Sequence, residues 1–573
     1  MKVNVRSAFE GQAVAAVKEI LSSMGVEDAD IRTEIPDNHD LAIPCFTFSK
    51  KAGMPPKELA EAIRSGITQS GLISSASALN GYLNFDIKWE DLAKETLESI
   101  IEKGSEYGAA PKSGLRVNVE HTSTNPTGPI HVGRARNPII GDTLARCLKR
   151  CGHDVSTEYY VNDVGKQVVI LTWGVNNIST ALETGEERDK TDHRLVAYYR
   201  AANAMMESDS VVSEQISKML RRFEAGDADV IRNVRKTAEA MLDGLKITLD
   251  GINVTLDRYT WESDFIADGS AAKVVSDLKS SKYASQTEDG SWNLDLKEFG
   301  IQGKNTRFTF TRSDGTTLYT TRDLAYHIDK FSRSDRAIDV LGEDQKLGSK
   351  QLCSALEILG CDRAPEAMFY SFVSLPEGKM STRKGVVVYL DDLIDEAVGR
   401  AREEVLSRRS DLPKEKVDEI AAAVGIGAVR FNIIRVQPEK QLVFKWDEAL
   451  SFDGNSGPYL QYVHARACSM LKRAGGYSQD ADPSKLTDEY EVKLIKILSK
   501  FGSVLTSAGE MRRVHLLPAY GHELASAFNQ FYAAVPVISS GSSRDARLTL
   551  VECSKTVLAN VLDCLGIEAL EEM

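Results

Sequence analysis

Between residues 115 and 161 the chain passes from strand pattern to loop to helix pattern and back to strand. That succession limits its possible folds more than any other stretch. Leu115-Arg116-Val117-Asn118-Val119-Glu120 alternates apolar and polar side chains, as a half-buried strand does. Ile140, Leu144, Cys147, Leu148 and Cys151 recur at helical spacing, with Gly152 as a stop, and Val155 to Val161 reads as the next strand. Such a βαβ unit belongs to a parallel sheet wound with helices. Its loop, Asn125-Pro126-Thr127-Gly128-Pro129-Ile130-His131-Val132-Gly133-Arg134, falls where the ligands of such sheets sit, beyond the carboxyl end of a strand. Pro138 leaves two starts for the helix: Asn137-Pro138 itself, or a start near Gly133 with Pro138 close to the first turn.

A chain of 573 residues exceeds one core and predicts several domains. The pattern divides it into an α+β N-terminal domain at 1–112 and a Rossmann-type parallel-sheet catalytic domain at 113–395. The latter carries a helical and β insertion at about 172–310. A helical connection at 396–450 and an all-α domain at 451–573 follow. Met368 to Leu375 and Val386 to Leu390 read as further strands.

Composition excludes several classes. No apolar run approaches the roughly 20 residues that span a bilayer, and Lys2, Arg6, Glu10, Lys18 and Glu19 place charge where a signal peptide is apolar. A cytoplasmic location without membrane contact is expected. The eight cysteines form no C-x-x-C pair, so no structural zinc is expected, and no other metal-ligand cluster is visible. The net charge of −13 opposes nucleic-acid binding by the chain as a whole. Local basic clusters exist, at Lys218–Lys236 and Arg400–Arg409, but each reads as a solvated face balanced by nearby acids.

Two loops carry the chemistry. Gly128 and Gly133 allow close backbone approach, the helix that follows offers free N–H groups, and His131 is a donor for a phosphate or ribose oxygen. Far downstream, Gly378-Lys379-Met380-Ser381-Thr382-Arg383-Lys384-Gly385 is rich in glycine and cations. Lys379, Arg383 and Lys384 suit a pyrophosphate leaving group that gains charge in the transition state. Each loop alone reads as structural or as a solvated turn. Together they predict an enzyme gripping a nucleoside triphosphate from two sides.

The pairing resembles the class I aminoacyl-tRNA synthetases. His131-Val132-Gly133-Arg134 stands where that family has its HIGH signature, and Lys379-Met380-Ser381-Thr382-Arg383 where it has KMSKS. The arginyl branch is the closest likeness, over essentially the whole chain. It is carried by Tyr160–Gln167, Tyr319-Thr320-Thr321-Arg322-Asp323, Gly454–Arg466, Asp40–Phe46 and Phe528–Tyr532. The resemblance implies arginine held by Glu120, Asn125, Tyr319, Asp323 and Gln345. It implies ATP held by Gly128, His131, Gly133, Lys379, Met380 and Ser381, with Mg²⁺ accompanying the nucleotide. It also implies transfer to tRNA(Arg), whose outer corner meets residues 1–110 and whose anticodon meets the C-terminal helices. Tyr459, Tyr462, His464, Arg466, Phe531 and Tyr532 are the right kinds of side chain there, although helical periodicity sends about half of such a set inward. A guanidinium is a planar fork of donors, so a pocket of carboxylate and amide acceptors suits it and rejects lysine without an editing domain. A monomer is expected.

Two positions depart from the family pattern. Arg134 replaces the last histidine of HIGH, and Thr382 replaces the second lysine of KMSKS. Some relatives without that lysine carry another just before the first loop; here that segment has none. Arg134 is therefore expected to supply the missing cation, alongside Arg383 and Lys384. The alternative is a tRNA-binding paralogue without catalysis, for which the altered signatures are the only support.

Overall fold

The structure, a computed structural model, describes residues 5–34, 36, 38–179, 188–302, 306–374, 388–479 and 482–573. At the N-terminal end, strands β1 (Leu41–Pro44), β2 (Ile73–Leu79) and β3 (Tyr82–Ile87) form an antiparallel sheet in the order β1-β3-β2. The Val5–Ser23 helix buries Phe9, Ala13, Val17 and Leu21, a four-residue spacing, in the core of this unit.

Strands β4 (Arg116–Glu120), β5 (Asp154–Val161) and β6 (Arg258–Trp261) form one half of a parallel sheet. A small antiparallel sheet, β7 (Ala284–Gln286), β8 (Trp292–Asp295) and β9 (Arg307–Thr311), follows in the chain. Strands β10 (Arg336–Gly342) and β11 (Glu366–Tyr370) then complete the parallel sheet, in the order β11-β10-β4-β5-β6. The chain leaves β4 toward β5 and later returns on its other side as β10, so strand order reverses there. The crevice beyond the carboxyl ends of β4 and β10 is the binding position of this architecture.

Three local expectations change. Arg258–Trp261 lies within the stretch read as an insertion, yet it is the edge strand of the central sheet. Four residues are too few for their periodicity to register. Met368 to Leu375 is two strands, β11 and β12 (Val373–Ser374), because Ser371 donates to the Pro438 carbonyl and leaves the ladder; Leu375 lies outside the described residues. Of Val386 to Leu390, residues 386–387 also lie outside. Tyr389 makes a single bridge, and Leu390 already opens a helix, whose Asp392 side chain accepts from the Tyr389 N–H at 2.8 Å. The helix after the first loop begins at Arg136, preceded by a 3₁₀ turn at Val132–Arg134, so Pro138 sits in its first turn.

Among the described residues from Leu390 onward the elements are helices apart from β13 (Leu442–Val443), which pairs in parallel with β12. One apolar cluster runs from Ala93 through the central sheet to Ile567 in the C-terminal helices. Arg430 crosses it fully buried. Its guanidinium donates to the carbonyls of Ile252 at 2.6 Å, Asn253 at 3.1 Å and Leu565 at 2.6 Å, and to Asp142 at 2.5 Å. It thereby joins the connecting helix to the insertion, the C-terminal helices and the Arg136–Arg150 helix. Among the described residues no helix is long and apolar enough to cross a membrane. Replacing Arg430 with Met strands the buried carbonyls of Ile252 and Leu565 and the Asp142 carboxylate. The expected loss is about 3 kcal/mol, read by thermal and denaturant unfolding; unchanged unfolding would contradict this role.

Candidate functional site

The loop after β4 is held by its own backbone and by both ends of the second loop. Thr122 and Ser123 sit at φ 72° and 32°, a left-handed conformation that is strained for a β-branched residue. Asn137 secures the strain: its side chain accepts from the Thr122 N–H at 2.6 Å and donates to the Val340 carbonyl at 3.0 Å. Val132 donates to the Val388 carbonyl at 3.0 Å, and Leu390 to that of Ile130 at 2.8 Å. On the other side, a Cβ on Gly133 would stand 3.6 Å from the Val373 carbonyl. Residues 375–387, with Lys379, Met380, Ser381, Arg383 and Lys384, lie outside the described residues. Their two flanks both meet His131–Gly133.

His131 caps the 3₁₀ turn: its Nδ1 accepts from the Gly133 N–H at 3.0 Å. Burial and the Arg134 charge lower its pKa, so the ring is neutral with its proton on Nε2. That leaves an exposed Nε2–H donor beyond the sheet. Arg134 is exposed, and its guanidinium has no ion-pair partner among the described residues. Gly128 has a different reason from the one expected: a Cβ there would stand 3.0 Å from Val196 of the insertion helix Thr191–Ser208. Its missing side chain makes room for that helix.

The five residues expected for arginine converge unevenly. Glu120 ends β4, and Asp323 lies one turn into the Tyr319–Arg333 helix, with Tyr319 exposed at its first position. Asn125 is exposed and donates to Gln167 at 3.3 Å; Gln345 closes a 3₁₀ turn after β10 and is also exposed.

Beneath them lies an arrangement that sequence reading missed. Asp339 of β10, Glu120 of β4 and Glu158 of β5 are in-register neighbours, so three carboxylates stand in a row across the sheet. His327, Lys330 and Arg333, at i, i+3 and i+6 on the helix above, meet them in turn. His327 Nε2 is 2.9 Å from Asp339. Lys330 Nζ donates to Asp339 and Glu120 at 2.8 and 2.7 Å, and Arg333 donates to Glu158 at 3.0 Å. Lys330 has no exposed surface, and its ammonium lies 4.3 Å from the centre of the Tyr326 ring. Against burial and the Lys330 charge, Asp339 and Asp323 raise His327 to about 10, so it is an imidazolium at neutral pH. Burial opposes it, but Lys330 together with His327 holds Asp339 well below the usual carboxylate range. Burial pushes Glu120 upward and Lys330 opposes that push. Its two oxygens accept from Lys330 and, at 2.9 Å, from Ser123, as a carboxylate does. The helical stripe Tyr319, Asp323, His327, Lys330 was the available sequence signal.

Metal ions fit neither buried acid–histidine group. The ligand atoms of Glu120, His327 and Asp339 lie within 4.8 Å of one another, as do those of Asp192, His193 and Asp391. Each set already holds an ammonium. Lys330 occupies the first, and Lys190 bonds both oxygens of Asp391 at 2.8 Å in the second. Asp391 follows the second loop directly, so this pair fixes that flank.

The C-terminal candidates separate into two sets. Phe531 is fully buried, His464 is buried with Nδ1 2.8 Å from the Leu570 carbonyl, and Tyr459 is buried, accepting from Asn529 at 3.0 Å. These three belong to the helix core, where they cannot stack on a base. Tyr462, Arg466 and Tyr532 form a half-buried group: the Arg466 guanidinium lies 4.7 Å from one ring centre and 4.9 Å from the other.

Residues 96–446 match the family model of class I tRNA synthetases (R), catalytic domain. Residues 460–573 match the DALR anticodon binding domain, and residues 11–87 the arginyl tRNA synthetase N terminal domain. The chain is 46% identical over 98% of both lengths to an arginine–tRNA ligase of Methanocella arvoryzae. It is 39% identical over 99% of both lengths to one of Methanothermobacter thermautotrophicus. Among solved structures it is similar to Thermus thermophilus arginyl-tRNA synthetase, with a TM-score of 0.86, 28% identity and coverage of 99% of this chain and 100% of that one. The chain belongs to the arginyl-tRNA synthetase family of class I aminoacyl-tRNA synthetases.

Proposed function

We propose that this protein is an arginine–tRNA ligase in which Glu120 and Asp323 receive the guanidinium and His131 and Arg134 attend the triphosphate. The observation that carries this reading is the placement of Glu120 and Asp323 over one buried charge network, beside the loop that presents the His131 Nε2–H. The arginine carboxylate attacks the α-phosphorus of ATP, a P–O bond breaks, and pyrophosphate leaves. The terminal ribose 2′-hydroxyl of the tRNA then attacks the adenylate carbonyl and AMP leaves. Holding both reactants in one crevice and placing donors where phosphate charge grows supply the acceleration.

The His131 Nε2–H donates to a phosphate oxygen, and the exposed Arg134 adds a cation at the same loop. Asn125, Tyr319 and Gln345 close the pocket around the amino acid. Lys379, Met380, Ser381, Arg383 and Lys384 act on the nucleotide from the second loop, and Mg²⁺ enters with the ATP phosphates. Residues 1–112 take the outer corner of the tRNA, 113–395 the chemistry, 396–450 the connection and 451–573 the anticodon. There the Tyr462–Arg466–Tyr532 group offers ring faces and a cation to single-stranded bases. The reading includes a cytoplasmic monomer, which sedimentation tests.

ATP–pyrophosphate exchange is expected with arginine and not with lysine, assayed with and without tRNA; exchange with lysine alone would overturn the specificity. Asp323→Asn should raise the arginine KM roughly 10–100-fold, the worth of a charge-assisted hydrogen bond, and leave the ATP KM in place. Arg134→Ala should slow exchange by ~10-fold or more with arginine binding retained. Unchanged rates in both Arg134→Ala and Arg134→His would remove that residue from the mechanism. Tyr532→Ala should raise the tRNA KM alone.

A further inference from the structure

The acids and bases under the arginine pocket form a closed charge ladder. Asp323 Oδ1 lies 3.1 Å from His327 Nδ1, and His327 Nε2 lies 2.9 Å from one oxygen of Asp339. The other Asp339 oxygen is 2.8 Å from Lys330 Nζ, which is 2.7 Å from Glu120. The two carboxylates assigned to the guanidinium are thus the two ends of one continuous chain of ion pairs. Glu262 also faces Asp323 and is paired with Arg322 at 2.5 Å. From β5, Glu158 faces Lys330 and is matched by Arg333, which Asp329 also holds; from β6, Arg258 lies 3.5 Å from Glu158. Tyr326 and Tyr160 stack beside it, and Cys353 faces Asp339, all three neutral thiol or phenol groups raised by burial. Asp323, Asp339, Glu120, Glu158, Asp329 and Glu262 stand against His327, Lys330, Arg333, Arg258 and Arg322, six acidic groups against five basic ones. One negative charge remains.

We propose that His327 and Lys330 are positioning residues for amino-acid specificity: they lock Glu120 and Asp323 into place as ionised acceptors and trim the pocket to the single negative charge that one guanidinium neutralises. This rests on the reading of Glu120 and Asp323 as the arginine acceptors. A buried carboxylate stripped of its counter-charge takes up a proton, and a protonated carboxyl must release it before it accepts from a guanidinium. Loss of either cation therefore makes arginine binding depend on pH, with affinity rising as pH rises. In the intact protein both cations keep their charge over the same range, His327 because Asp339 and Asp323, against burial and Lys330, hold it at about 10.

The test uses the full chain with its tRNA and ATP–pyrophosphate exchange between about pH 6.5 and about pH 9. Lys330→Met keeps length and apolar stem and removes the charge. Its arginine KM, relative to the parent at the same pH, should be raised at least ~10-fold at the acid end and should fall several-fold toward the alkaline end. The ATP KM should stay within about twofold of the parent throughout. His327→Gln, which leaves the Lys330 bridges intact, should show the same trend and serves if Lys330→Met does not fold. Lys330→Arg should restore a pH-independent ratio. A raised KM ratio that is flat with pH in both variants, or a parallel rise in the ATP KM, would reduce these residues to structural supports and overturn the proposal. Absence of arginine-dependent exchange in the parent itself would instead overturn the functional reading beneath it.

Discussion

Arg136 holds the two halves of the catalytic crevice in register. It occupies the first turn of the helix that follows the signature loop, where the helix dipole disfavours a cation, and it has no exposed surface. Its hydrogen-bond acceptors are carbonyls: Ser371 at 3.0 Å, Lys440 at 2.7 Å, Val436 at 3.0 Å and Gln437 at 3.0 Å. Burial lowers it to about 10, with Glu439 opposing that push, so it remains charged at neutral pH, and its planar guanidinium meets several carbonyls at once. Ser371 precedes β12, the entry to the second loop, and residues 436–440 precede β13, the strand that pairs with β12. One side chain thus fixes the distance between the loop that carries His131 and the strand from which the second loop departs. Lysine, with three donors on a single atom, has no geometry for that set of acceptors.

The same logic recurs at the exit of the second loop and beneath Glu120 and Asp323. Lys190, with Thr248 and His193, anchors Asp391, which stays at about 2 because these hydrogen bonds and the Lys190 charge outweigh burial. Around Lys330, sheet register places carboxylates side by side that would repel if left alone, and one helix face answers with cations at matching intervals. Buried ion pairs of this kind contribute little net stability, because desolvation offsets attraction. What they supply is fixed orientation, which a binding site needs and an apolar core cannot give.

Legibility in the sequence followed the range of the interactions. The parallel sheet, the signature loop and the helical C-terminal region are written in local periodicity, and each appears in the structure. The i, i+4 pair Tyr319 and Asp323 does sit on one helix face, because that relation is set by helix geometry alone. Glu120 was expected in the site from the family resemblance, but its partner Lys330 lies 210 positions away, and no spacing rule connects them. Burial was the other limit. Phe531 and Tyr532 are adjacent, yet one is sealed in the core and the other lines the Arg466 group, a choice made by packing against neighbouring helices. Gly128 was expected to let a ligand approach the backbone, and only the tertiary fold reveals that Val196 also stands against it.

The apolar cluster that runs unbroken from the catalytic sheet into the C-terminal helices has a mechanical consequence. Domains joined by small polar interfaces swing against each other; domains that share a hydrophobic interior move together. Arg430 adds a buried polar clasp at the same seam, where four segments of chain meet. The distance between the crevice and the Tyr462–Arg466–Tyr532 group is therefore a fixed span, like the jaws of a set caliper. An RNA that engages both meets a preset separation instead of one that adjusts to it.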